Sequence, residues 1–149
     1  MTYTPPPFVL DPRPARAVDD APLPGATFGQ AVARFYRRYA MFSGRASRSE
    51  YWWIALLYTC VSVVGLVVLG MSDPEPGEAS PFVTLTALLV LLFVLGGAVP
   101  CLALNARRLH DANLSGWLQL VSLVPTVGPL VMTVLALLPS KPEGAVYDR

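Results

Sequence analysis

Two short polar stretches carry most of the residues able to do chemistry: FSGRASRSEYWW at 42–53 and RRLHDANLSGW at 107–117. Between them they hold Arg45, Arg48, Glu50, Arg107, Arg108, His110 and Asp111. Grouped arginines can bind a lipid phosphate or another anion, and Asp111 or Glu50 can accept paired bonds from arginine. A histidine with a carboxylate can act as a base, but His110 and Asp111 are adjacent and diverge on any helix. No G-x-S-x-G, H-E-x-x-H or phosphate-cradling glycine loop is present. Cys60 and Cys101 lie in apolar runs with no carboxylate beside them, so they read as small hydrophobes rather than zinc ligands. The sequence implies no catalytic residue, no metal and no cofactor.

The elements that position these residues are apolar. Of the 149 residues, 54% are hydrophobic and 14% charged, against about 25% charged in a typical soluble domain. A net charge of +1 gives no sign of nucleic-acid binding. Residues 51–72, 79–106 and 112–140 carry no charge, and each run exceeds the roughly 20 residues a membrane helix needs. The fold class is therefore an all-α integral membrane bundle with three transmembrane helices, over about 51–71, 81–104 and 115–138. Pro125, Gly128 and Pro129 interrupt the third run. A continuous helix kinked at Pro125 is the first expectation, and a re-entrant or split pair is the alternative. Gly96, Gly97 and Pro100 should bend or thin the second.

Before the first span, Phe28, Val32, Phe35, Tyr39 and Phe42 form one stripe of an amphipathic helix expected over 27–42. With its arginines, such a helix suits the membrane interface, or it packs on the spans. Thr27 with Gln30, and Ser47 with Glu50, read as capping boxes. Gly44 is expected to close the first helix, and Asn113 or Ser115 to cap the third span. Residues 1–26 hold seven of fifteen prolines and read as a disordered cytoplasmic leader; 27–140 form the membrane domain, and 141–149 a tail. Arg34, Arg37, Arg38, Arg45, Arg48, Arg107 and Arg108 face an acidic 73–78 loop without Lys or Arg. The positive-inside rule then places the N-terminus in the cytoplasm. Tyr51, Trp52, Trp53 and Trp117 are the aromatic anchors at that face. The C-terminus lies outside if the third run crosses, and inside if it folds back.

The spacings F-x-G-R-x-S-R-x-E-Y-W, from Phe42 to Trp52, and R-R-L-H-D-x-x-x-S-G-W, from Arg107 to Trp117, resemble the DUF805 family. So does L-V-P-x-V-G from Leu123 to Gly128, and the resemblance covers roughly 28–140. In the tail only Gly144 and Tyr147 match the family's usual ending. The resemblance implies a small helical inner-membrane protein and supplies no activity. The leading expectation is a non-enzymatic component that organises lipid, through anionic headgroups, or a partner protein at the cytoplasmic face. A homo-oligomer is among the expected assemblies. A small transporter and a lipid-headgroup enzyme with His110 as base are the alternatives.

Overall fold

The computed structural model describes residues 21–71 and 80–148, all helix and connecting turns. The order is α1 (Phe28–Arg37), α2 (Arg48–Gly70), α3 (Pro81–Asp111), a 3₁₀ helix (Gly116–Leu123), α4 (Val127–Leu137) and a second 3₁₀ helix (Pro142–Tyr147).

Both expected capping boxes form. The Gln30 N–H donates to Thr27 Oγ1 and the Thr27 N–H to Gln30 Oε1 at 3.4 and 2.9 Å. At α2 the Glu50 N–H donates to Ser47 Oγ and the Ser47 N–H to Glu50 Oε2 at 3.3 and 2.8 Å. These bonds satisfy donors that a helix start otherwise leaves open. Helix α1 stops at Arg37, short of the expected 42, because the following chain is needed elsewhere. Gly44 turns it at φ +80°, and the Ala46 N–H reaches the Arg107 carbonyl at 3.0 Å. Gly44 is thus a loop pivot rather than the cap of α1. Ala31 and Phe35 of α1 enter a core with Ala46, Ile54 and Leu104, so packing claims part of the amphipathic face.

The leader's last residues are ordered by α2, unlike the expected disorder through residue 26. The Leu23 N–H donates to Glu50 Oε2, the Ala26 N–H to Ser49 Oγ, and Trp53 Nε1 to the Ala26 carbonyl. Residues 1–20, with most of the proline run, lie outside the described residues.

Helices α2 and α3 have 23 and 31 residues, long and apolar enough to cross a membrane. A buried core helix would be covered; here only 11% and 22% of their most apolar stretches are. Their outward faces are Leu, Val and Phe, as lipid requires. Helix α3 continues through 107–111, so the second polar motif is a helix end rather than a loop. A Cβ at Gly97 would collide with the Tyr58 hydroxyl, so this glycine sets how closely α2 and α3 approach. Pro100 has no N–H to offer the Gly96 carbonyl one turn back. The Tyr39 hydroxyl, arriving from the loop after α1, donates to that carbonyl at 2.7 Å.

The third apolar run takes the split form, and a single kinked helix over 115–138 does not form. Its first arm is 3₁₀, and α4 has only 11 residues, a rise of about 16 Å, roughly half of a bilayer's hydrocarbon thickness. Pro125 cannot continue a helix, whereas Pro129 sits in the first turn of α4, where no donor is required. Thr126 makes the turn at φ +68°, with the Val127 N–H on the Pro125 carbonyl at 2.8 Å. That conformation is costly for a β-branched residue. Gly128 lets the arms close, since a Cβ there would overlap the Val121 carbonyl and the Ser122 backbone. The hairpin returns Leu138 to the end of α3 from which it left.

Candidate functional site

The polar end of the molecule is built where α3 ends, α2 begins and the hairpin returns. A Schellman turn closes α3: the Asn113 N–H bonds the His110 carbonyl and the Leu114 N–H bonds the Leu109 carbonyl, both at 2.9 Å. Asn113 holds φ +57°, and Ser115 caps the next helix through the Trp117 N–H. Asn113 therefore terminates one element and Ser115 starts the other.

Arg108 is 1% exposed and forms the hub. It pairs with Asp111 one turn on, donates from Nε to the Ala136 carbonyl at 3.1 Å, and donates from Nη2 to the Leu138 carbonyl. Its Nη1 also reaches the Ala46 carbonyl at 3.4 Å. The guanidinium thus covers the open carbonyls at the C-terminus of α4, where the helix dipole favours a cation. Asp111 is fully buried and accepts from the Ser140 hydroxyl, while its carbonyl accepts the Lys141 N–H at 2.8 Å. Arg107, also 1% exposed, donates from Nε to the Ala103 carbonyl of its own helix at 3.2 Å.

The two motifs meet, but not through their charges. Glu50 pairs with Arg34 of α1, and Arg34 also donates to the Ala21 carbonyl at 2.6 Å. Arg45 binds Asp148 of the tail, with Nε 3.0 Å from both carboxylate oxygens and Nη2 2.6 Å from Oδ2. Arg48 donates to the Leu138 carbonyl at 3.1 Å and stays exposed. What joins the motifs is backbone: the bond from Ala46 to Arg107, that from Arg108 to the Ala46 carbonyl, and His110 Nδ1 at 3.2 Å from the Gly44 carbonyl. Loop 44–46 supplies carbonyls and an N–H because, once α1 has stopped, its own are unspent.

The tail completes this end. The Tyr147 ring lies parallel to His110, centroids 4.0 Å apart, and the Gly44 N–H donates to the Tyr147 carbonyl at 2.8 Å. A Cβ on Gly144 would collide with the His110 carbonyl. Arg34, Ser140, Tyr147 and Asp148 were not among the residues singled out from sequence. Gly144 and Tyr147 carried the only signal, as the two tail residues that match the family's ending.

Of the aromatic anchors, Trp52 and Trp53 are 38% exposed and Trp117 is 79% exposed, all at or near this polar end. Tyr51 is half-buried against the core and packs edge-on to Trp52. Among the described residues no three His, Cys, Asp or Glu side chains stand together as a metal site would require. Asp111 bonds Arg108 and Ser140 through Oδ2, and His110 Nδ1 faces the Gly44 carbonyl instead of a carboxylate.

These features define an all-helical integral membrane protein whose polar end is closed by an internal charge network. The chain belongs to the DUF805 family: the profile described as "Protein of unknown function (DUF805)" matches residues 39–149, and so includes the tail. It is 37% identical over 98 residues to Inner membrane protein YhaI of Escherichia coli K12, covering 66% of this chain and 75% of that protein. It is 33% identical over 103 residues to Inner membrane protein YhaH of the same organism, covering 66% and 76%. No solved structure matches it.

Proposed function

We propose that this protein crosses the inner membrane with its polar end cytoplasmic and holds anionic lipid there as a non-enzymatic component. The orientation rests on the arginines gathered at that end, against the absence of Lys and Arg from the acidic sequence 73–78 between the first two spans. One observation carries the lipid reading. Arg108, Arg45 and Arg34 are spent on protein carboxylates, while Arg48 remains exposed one turn from Trp52. Beside it Ser49, Trp52, Trp53 and Leu56 line a shallow cleft of about 220 Å³. An exposed arginine one turn before an aromatic-edged apolar cleft can hold a phosphate whose acyl chain enters that cleft. Of the grouped arginines expected from sequence to bind lipid, Arg45, Arg48, Arg107 and Arg108, this reading rests on Arg48.

Native mass spectrometry of the protein taken from phosphatidylglycerol nanodiscs tests this. Retained phosphatidylglycerol that falls about tenfold in Arg48→Ala supports the reading, a loss comparable to one charge-assisted bond. Equal retention of phosphatidylcholine contradicts it, and a stoichiometric protein in place of lipid makes the chain a subunit. The split third run favours a second reading, transport, since broken helices mark carrier sites. Solute flux in proteoliposomes would support it.

A further inference from the structure

A second concavity, of about 530 Å³, lies against His110. Phe42, Ala106, His110, Ser115, Gly116, Trp117, Gln119 and Tyr147 line it, and none of these carries a fixed charge.

Two contacts fix the imidazole. Tyr147 stacks on its face with 1° between the planes. The Gly44 carbonyl lies 3.2 Å from Nδ1, and a carbonyl only accepts, so Nδ1 carries the hydrogen. In the neutral ring Nε2 is then an acceptor. Gly116 keeps the approach to Nε2 open, since a Cβ there would stand 3.0 Å from it. Gln119 holds a buried Oε1 with no hydrogen-bond partner. His110 Nε2 is thus an acceptor in a cavity where no cation waits for an anion, the unpaired Gln119 oxygen lies buried in the wall beside it, and Phe42, Trp117 and Tyr147 make the lining largely aromatic.

We infer that this cavity binds a primary ammonium group. Such a group offers three N–H donors: His110 Nε2 takes one, Gln119 Oε1 takes a second once its side chain turns to the ligand, and the third is left to water. Phe42, Trp117 and Tyr147 supply aromatic lining that favours a desolvated cation. A phosphate or carboxylate finds no donor cation among the lining residues, and a quaternary ammonium has no N–H to give. An ethanolamine lipid headgroup and a free alkyl amine share the required chemistry. The site is separate from the Arg48 cleft and takes the opposite charge.

The full chain in dodecyl maltoside micelles is offered dioleoyl phosphatidylethanolamine, phosphatidylcholine or phosphatidylglycerol, and retained lipid is counted by native mass spectrometry. The ethanolamine lipid should be retained at least about tenfold over the choline lipid, a difference that reports lost N–H donors. Gln119→Leu should remove that preference without moving the unfolding midpoint. His110→Phe, which keeps a ring against Tyr147, should do the same. Arg48→Ala should leave the preference intact, which separates this site from the anionic-lipid reading. Displacement by free ethanolamine supports a soluble amine as ligand, and resistance to it supports the lipid. Equal retention of the ethanolamine and choline lipids overturns the inference, as does a preference that survives Gln119→Leu.

Discussion

The polar end and the apolar shaft of this molecule are held by opposite means. At the polar end Arg108 and Asp111 are 1% and 0% exposed, bonded to each other and, through Arg108, to backbone at the end of α4 and in loop 44–46. Along the shaft, α2 and α3 are mostly bare, and their spacing is set by small local fits: Gly97 under Tyr58, and Gly65 facing Val90. In lipid, leucine gains little by leaving one apolar surface for another, so the shaft's side chains supply little drive to associate. A polar group has no such freedom and must find a partner. The specific architecture, including the return of the split third run, is therefore encoded at the polar end.

The largest predicted effect breaks that end. Asp111→Ala leaves the Arg108 guanidinium buried without its carboxylate and should cost about 3–5 kcal/mol, read as SDS-induced unfolding in dodecyl maltoside micelles. Replacing both, Arg108→Met with Asp111→Leu, should cost less than the single change, because no buried charge is stranded. A double variant worse than Asp111→Ala would assign Arg108 its main role at the α4 carbonyls. In the shaft, Gly97→Ala should cost about 1–3 kcal/mol by pushing Tyr58 out of its seat. Tyr58→Phe in the same chain should restore part of that loss, since the hydroxyl meets the new methyl first.

Tyr39 ties the two regions together and gives a sharper test. Tyr39→Phe strands the Gly96 carbonyl and should cost about 1–2 kcal/mol. With Pro100→Ala present, residue 100 can supply the missing N–H, and the cost of Tyr39→Phe should shrink toward zero. An undiminished cost would show that Tyr39 acts through packing instead. The smallest effect belongs to the tail. Arg45→Ala should release Asp148 at a cost of about 1 kcal/mol, visible as faster proteolysis after Lys141 with the helices intact.

Legibility in the sequence followed chain distance. Thr27 with Gln30, and Ser47 with Glu50, were readable because each box closes within one turn. The spans were readable because lipid imposes long uncharged runs. Pro125, Gly128 and Pro129 announced a break, but its hairpin form depends on Arg108 capturing carbonyls 28 and 30 residues away. Glu50 and Arg34 are 16 residues apart, and Arg45 and Asp148 are 103. At such separations a charge offers no clue to its mate. The second span was expected to end near 104 because charge ends the apolar run, yet charge does not end a helix. Only the Schellman turn at Asn113 does.

The returning third run is tested most directly by which side of the membrane its tail reaches. Cys60 and Cys101 are first replaced by alanine, and single cysteines are introduced as Ser43→Cys, Glu75→Cys and Val146→Cys. Intact cells are then treated with a membrane-impermeant maleimide. Ser43 and Val146 are both exposed at the polar end. The fold predicts that these two positions behave alike, and the proposed orientation adds that both are protected in intact cells and labelled after lysis, while position 75 is labelled from outside. Labelling of Val146→Cys together with Glu75→Cys in intact cells would contradict it and make the third run a full crossing.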